Sequence, residues 1–158
     1  MNTNTWELSL IKKKNFDANT AAIVKRCNQR MFCMYRLRSF QVSQETLQIF
    51  YRSFIESVLT FSFLCWFGTL SVTNKSKLNR IVNRGSKVVC ERQAGVNELY
   101  EGRLVKKGFQ IMNDSGHTLS QYYQRLPSGR RLRAFSAKKV KTLNSFVPMS
   151  IRLINKLK

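Results

Sequence analysis

Apolar residues recur every three or four positions through much of the chain, the spacing that places them on one face of an α-helix. The first pattern predicts a helix that begins near Asp17 or Asn19, either of which could cap it, and runs to about Phe40. A second helix is predicted from about Ser43, a favourable N-cap, to about Phe67. The predicted buried stripe of the first helix is Val24, Cys27, Met31 and Met34.

Two further helices are predicted before residue 115. The third is capped by Asn74 and reaches about Glu91, and the fourth runs from about Val96 to Asn113. Gly85 weakens the middle of the third helix, because glycine is a poor helix former. The side chains predicted to face inward include Leu78, Ile81, Val82, Val88, Val89, Leu99 and Leu104.

The composition changes after Asp114. From Ser115 to Lys158 the chain has no Asp or Glu, while Lys and Arg accumulate. Pro127 and Gly129 mark a turn, and a short helix is predicted after Pro148. Segments of one charge sign with weak periodicity are usually disordered, or ordered only by a partner. The predicted fold class is therefore all-α, a small bundle of three to four helices with a basic, partly disordered C-terminal tail.

The charge balance points to a polyanionic partner. The 158 residues include 28 Lys and Arg against 8 Asp and Glu, a formal net charge of +20. Nucleic acid is the leading candidate partner, and an anionic membrane surface is the second. Aromatic residues interleave with arginines in the tail, a combination suited to stacking on unpaired bases. The residues predicted to contact nucleic acid are Lys25, Arg26, Arg30, Arg36, Arg38, Arg130, Arg131 and Arg133, with possible stacking by Tyr122 and Tyr123.

No arrangement typical of an enzyme is visible. The single histidine, His117, excludes a two-histidine iron triad, and the only Asp residues, Asp17 and Asp114, lie in unrelated contexts. Phosphate-binding glycine loops are absent, and the four cysteines form no C-x-x-C pair. The sequence predicts a non-catalytic protein without cofactor or metal, in which Cys27 and Cys33 are small buried hydrophobes.

The most apolar stretch, Phe54 to Phe67, is too short for a membrane span and contains Glu56, so no transmembrane segment is predicted. Its aromatic residues surround the helix, which suggests that part of its surface packs against another domain. The start of the chain lacks the pattern of a signal peptide. The expected location is intracellular, nuclear or cytoplasmic, and not secreted.

Several stretches, taken in order, resemble the C-terminal region of LINE-type (non-LTR) retrotransposon reverse transcriptases. The resemblance covers about Asn15 to Asn155 and is most specific from Phe50 to Gly68. It implies a thumb and its C-terminal extension, which track a template–primer duplex, without the upstream polymerase domains that carry the catalytic Asp pair. The stretches are 16–19 (FDAN), 23–30 (IVKRCNQR), 35–40 (YRLRSF), 50–61 (FYRSFIESVLTF), 65–68 (CWFG), 126–131 (LPSGRR) and 145–148 (SFVP).

This resemblance divides the chain into three parts: a non-family leader at residues 1–14, a helical thumb-like domain at 15–114 and a basic C-terminal extension at 115–158. It implies a non-catalytic remnant of an RNA-directed DNA polymerase that binds RNA, DNA or their hybrid. It also implies the missing polymerase domains as further partners.

The stretch from about Asn15 to Phe67 also resembles the segment classified as the N-terminal domain of an AlkB-homologue tRNA-modifying enzyme. That resemblance implies tRNA methyltransferase and 2-oxoglutarate-dependent dioxygenase activities, and the residues for both are absent here. An inert protein-interaction fragment is the remaining alternative.

Overall fold

The computed structural model describes residues 16–157, and the predicted all-α fold class is confirmed over this range. The predicted leader, residues 1–14, lies outside the described residues. The helices are α1 (Asp17–Ser39), α2 (Gln44–Phe50), α3 (Ser57–Leu59), α4 (Phe63–Trp66), α5 (Val72–Val89), α6 (Val96–Asn113), α7 (Val140–Leu143) and α8 (Phe146–Lys156).

Helices α1 and α5 pack along one another and form the centre of the main hydrophobic cluster. The stripe predicted for α1 is confirmed at Cys27, Met31 and Met34, whereas Val24 is only half-buried and Ile23 takes the buried place. All five residues predicted to face inward from α5 are buried. The 3.6-residue period therefore identified the packing faces of both long helices.

The predicted continuous helix from Ser43 to Phe67 is wrong in its second half. Ser43 does cap α2, since its hydroxyl accepts a hydrogen bond from the amide of Thr46 at 3.3 Å. The helix then widens into a π-helical segment, Tyr51–Glu56, before α3. It breaks at Ser62, which adopts a left-handed conformation with φ of 48°.

Hydroxyl side chains account for this widening and break. The Ser57 hydroxyl donates to the carbonyl of Ser53, and the Thr60 hydroxyl donates to the carbonyl of Glu56 at 2.7 Å. Such bonds to the carbonyl four residues earlier compete with the helical ladder and bend helices. The break lets α4 and the turn after it direct aromatic residues into the main cluster, where Phe63 and Phe67 pack on Tyr100 of α6.

Helix α5 begins earlier than predicted. Ser71, rather than Asn74, is the N-cap, and its hydroxyl accepts a hydrogen bond from the Asn74 amide at 3.3 Å. Asn74 is instead buried, and its side chain donates a hydrogen bond to the carboxylate of Asp17 at the start of α1. This bond joins the N-terminal ends of α1 and α5.

The basic tail has a larger part in the core than the sequence predicts. Helix α8 packs against α6, and the two form a second hydrophobic cluster with side chains from the connecting segment. The short helix predicted after Pro148 is observed as α8, which begins two residues before that proline, and its apolar side chains anchor this part of the tail. The division of the chain at residue 114 stays a prediction. The buried members of the cluster are Ile111, Tyr123, Leu132, Ile151 and Ile154.

Within residues 16–157, no helix combines the length and the apolar character that crossing a bilayer requires. The apolar stretch that begins at Phe54 is divided between the π-helical segment, α3 and α4. Most of its large side chains face the main cluster rather than the surface.

The cysteines differ in exposure and therefore in expected reactivity. Cys27 is fully buried and desolvation raises its thiol pKa to about 11, whereas Cys33, Cys65 and Cys90 are exposed. The prediction of a buried Cys33 is wrong, because it points away from the α1 stripe. Since the thiolate is the reactive form, we expect a thiol reagent at pH 8 to modify three cysteines rapidly and Cys27 only after denaturation. Rapid modification of all four in the native protein, measured by intact mass, would contradict this packing.

Candidate nucleic-acid interface

Most cations in the described part of the chain have no acidic partner. Two ion pairs are formed there: Arg92 with Glu98 at 3.1 Å, and Arg103 with Glu56 at 3.9 Å. The first pair is exposed, and the second is long and joins Glu56 to a half-exposed arginine, so each contributes little to stability. The excess of positive charge predicted from the sequence is therefore presented to the surface rather than neutralised within the fold.

The predicted contact residues of α1 fall into two groups. Arg38 has a structural partner, since its guanidinium donates to the carbonyls of Lys87 and Val88, both at 2.7 Å. These carbonyls lie in the last turn of α5, which lacks helical partners for them, so Arg38 acts as a C-terminal cap. Arg36 lies over the ring of Phe40, with its guanidinium carbon 5.5 Å from the ring centroid.

Lys25 and Arg26 form no side-chain hydrogen bond or ion pair with any described residue, and both are exposed. They lie on different sides of α1. Lys25 borders a shallow depression with Lys77 of α5, whereas Arg26 and Arg30 border a deeper groove on the opposite side. The predicted basic face of α1 is thus two separate surfaces.

The deeper groove, called here the aromatic groove, lies between α1 and the segment from Ser53 to Trp66, and has a volume of about 690 Å³. Phe54 and Phe61 are 48% and 76% exposed. The Arg30 guanidinium donates a hydrogen bond to the Phe54 carbonyl and so ties α1 to the π-helical segment. The groove is lined by Asn19, Ile23, Arg26, Arg30, Ser53, Phe54, Ser57, Val58, Phe61, Ser62 and Trp66.

A second basic surface is the turn at residues 124–133, called here the basic loop. Its ends pair through hydrogen bonds from the Leu126 amide to the Arg131 carbonyl at 2.8 Å and from the Arg133 amide to the Gln124 carbonyl at 2.7 Å. The predicted turn is confirmed: Pro127 occupies its second position, and Gly129 has a φ of 68°. Arg130, Arg131 and Arg133 are all exposed.

The side chain of Asn155 in α8 anchors the basic loop. Its amide oxygen accepts a hydrogen bond from the Leu132 amide at 2.8 Å, and its nitrogen donates to the Leu132 carbonyl at 3.0 Å. The Leu132 side chain is buried in the second cluster. The loop therefore presents its arginines from a fixed base.

The two tyrosines predicted to stack differ in exposure. Tyr123 is only 5% exposed, its hydroxyl is 2.6 Å from that of Ser150, and burial raises its pKa. The prediction of stacking by Tyr123 is wrong, because its ring is part of the second cluster. Tyr122 is exposed and packs edge to face on Phe135, with ring centroids 6.1 Å apart, so it keeps a face open to solvent.

No group of metal ligands is assembled among residues 16–157: no three His, Cys, Asp or Glu side chains come close enough to hold an ion. His117 lies in the turn after α6, where its Nδ1 accepts a hydrogen bond from the amide of Leu119 at 3.1 Å. The Fe(II) site of a dioxygenase needs two histidines and a carboxylate. The described residues do not fit that site.

The aromatic groove was only partly predictable. The sequence indicates that aromatic residues surround the second helix, and it marks Arg26 and Arg30 as cations of α1. The sequence does not show that these aromatic residues and these arginines lie next to each other, because their proximity depends on the packing of α1 on the π-helical segment. The signal that could have joined them is the Phe54 and Phe61 pair, which is left outside the buried stripe of that helix.

Comparison with protein families finds a match in the first part of the described chain. The family described as "Alkylated DNA repair protein alkB homolog 8, N-terminal" matches residues 16–57, about a quarter of the chain. The resemblance to the AlkB-homologue segment is confirmed over that range, which comprises α1, α2 and the π-helical segment. No curated protein matches the chain, and no solved structure matches it.

Proposed function

We propose that this chain is a non-catalytic nucleic-acid-binding module that contacts the phosphate backbone of RNA, DNA or their hybrid. The observation that carries the proposal is the basic loop, which presents exposed arginines in a stretch without acidic residues after Asp114. Cations on a fixed surface release counterions from nucleic acid, a sequence-independent source of affinity. The exposed cations of α1, Lys25 and Arg26, add to this surface. We propose an intracellular location, nuclear or cytoplasmic.

We also propose that the module originates from the thumb region of a LINE-type reverse transcriptase. This part of the proposal is supported by the order of the sequence motifs from Phe16 to Pro148 alone. It carries an expectation about ligands, because a thumb tracks a template–primer duplex. A chain of that origin should prefer an RNA–DNA hybrid to a DNA duplex.

A second candidate is favoured by the family match at residues 16–57. A module of the AlkB homologue N-terminal type would act through another domain, either in RNA modification or as a protein-interaction unit. The methyltransferase and dioxygenase activities implied by that family are not proposed for the described residues. This second candidate would be favoured if the chain bound another protein whether or not nucleic acid is present, and if that binding did not weaken as salt is added.

The proposal is tested by measuring the affinity for a labelled DNA duplex and a labelled RNA–DNA hybrid across a series of KCl concentrations. We expect log affinity to fall linearly with log salt, with a slope of about −0.9 for each phosphate neutralised on duplex DNA. Substituting glutamine for Arg130, Arg131 and Arg133 together should make this slope shallower by about 0.9 for each arginine that contacts a phosphate.

A matched variant with glutamine at Arg80, Lys106 and Lys107 removes the same charge from α5 and α6, at exposed side chains that form no ion pair with a described residue. We expect it to change the slope much less than the basic-loop variant does. Equal effects of the two triple variants would mean that only net charge attracts the nucleic acid, and that the basic loop is not a binding surface.

A further inference from the structure

The aromatic groove has a lining that is apolar at its base and cationic at its rim. Ile23, Val58 and Trp66 supply apolar surface, while no carboxylate from residues 16–157 lines the groove. Arg26 and Arg30 border it on the side of α1. An occupant must therefore satisfy two guanidinium groups as well as an apolar surface, since covering them without a partner charge would be costly.

Two rings in this groove are exposed: the Phe54 ring is held by stacking, and the Phe61 ring stands on a backbone that is held by a hydrogen bond. Phe54 stacks on Phe50, with ring centroids 4.7 Å apart, and its carbonyl accepts a hydrogen bond from Arg30. The Phe61 carbonyl accepts a hydrogen bond from the indole nitrogen of Trp66 at 2.9 Å. Flat rings on a fixed backbone are suited to stacking on a planar ligand with little loss of conformational entropy.

The guanidiniums keep donors for an anion. Arg30 uses one N–H for the Phe54 carbonyl, and a guanidinium has five in all. Arg26 has no hydrogen bond to a described residue. Both can therefore donate to phosphate oxygens, for which the planar arginine fork is well matched.

We propose that the aromatic groove binds an unpaired nucleotide of single-stranded nucleic acid, with its base against Phe61 and Phe54 and its phosphate on Arg26 and Arg30. The proposal rests on the proposed function, and it adds a preference for unpaired bases that phosphate contacts of the basic loop alone would not give. In a duplex the faces of each base are covered by its neighbours, so only an unpaired base can stack on protein rings. The groove volume is within the range of small-ligand pockets.

The test compares the full chain and its variants on a labelled 12-nucleotide single-stranded RNA and on a labelled DNA duplex. Phe61→Ala should weaken single-strand binding by about 5- to 150-fold, the cost of losing one stacked base. Its salt slope should not change, because no charge is lost. Duplex affinity should stay within about twofold of the unaltered protein, since the duplex offers no free base face.

Phe32→Ala is the matched control, because Phe32 is 67% exposed on α1 and does not line the groove. It should leave both affinities unchanged. Arg26→Gln should weaken single-strand binding and make its salt slope shallower by about 0.7. Arg80→Gln, on α5 and outside the groove, should have a smaller effect on both.

Equal effects of Phe61→Ala and Phe32→Ala on single-strand binding would overturn the nucleotide site, while salt-dependent duplex binding would leave the proposed function standing. Poly-L-glutamate is a second probe. If Phe61→Ala weakened its binding as much as that of RNA, the groove would be a site for acidic polypeptide instead. If the unaltered protein bound neither nucleic acid at low salt, the proposed function and this site would fail together.

Discussion

Gly85→Ala is expected to lower the free energy of unfolding by about 1–3 kcal/mol, although alanine is the better helix former. A β-carbon at position 85 would lie 2.3 Å from Cε2 of Tyr51, far inside the ~3.5–4.0 Å of an ordinary carbon contact. The Tyr51 ring is fully buried in the main cluster and cannot swing away. The gain in helix propensity, about 1 kcal/mol, is therefore outweighed.

The control is Gly102→Ala in α6, where a β-carbon would meet nothing within 4 Å. That change should raise the stability by about 0.5–1 kcal/mol, measured by urea unfolding. Adding Tyr51→Leu should recover part of the loss caused by Gly85→Ala, because it removes the opposing ring. If both glycine variants were stabilised alike, that result would contradict the close contact between Gly85 of α5 and Tyr51 of the π-helical segment.

The same contact explains how the aromatic groove is held. Tyr51 begins the π-helical segment that carries Phe54, and the missing side chain at Gly85 lets that segment approach α5. π-helical turns within α-helices are frequent at functional sites. We therefore expect Gly85→Ala to disturb the groove as well as the core.

The long helices were predictable because the 3.6-residue period of apolar side chains governs which face of a helix is buried. The predicted bounds of α6, Val96 to Asn113, are those observed, and the buried stripe of α1 follows the helical period. The sequence predicts that Gly85 weakens α5, but it gives no sign of the packing that requires a glycine there. Propensity describes a residue within its own helix, whereas the partner ring of Tyr51 comes from a segment more than thirty residues earlier in the sequence.

Elements that depend on side-chain hydrogen bonds were harder to predict. The break after α3 contains neither glycine nor proline, and it depends on Ser57 and Thr60 bonding to the backbone of their own helix. Arg38 was assigned to nucleic acid because its charge has no local partner, yet it caps α5. Both outcomes depend on which carbonyls are left without partners, a property of the folded chain rather than of the sequence pattern.

Asn155→Ala is expected to lower the stability by about 1–3 kcal/mol and to loosen the basic loop. The side chain satisfies both the amide and the carbonyl of Leu132, and alanine would leave these part-buried groups without partners. The loss should appear as faster hydrogen exchange at the amides of Leu126 and Arg133, whose hydrogen bonds close the loop. Asn83→Ala, at an exposed site in α5, is the matched control and should be neutral or slightly stabilising.

This variant also separates the charge of the basic loop from its shape. Asn155→Ala keeps Arg130, Arg131 and Arg133, so the salt slope of duplex binding should remain close to that of the unaltered protein. Affinity at a fixed salt concentration should fall several-fold, because a loosened loop must be ordered when it binds. An unchanged affinity together with faster exchange would mean that the arginines act as a flexible cationic tail. Unchanged exchange would instead show that the Leu132 side chain, and not Asn155, holds the loop.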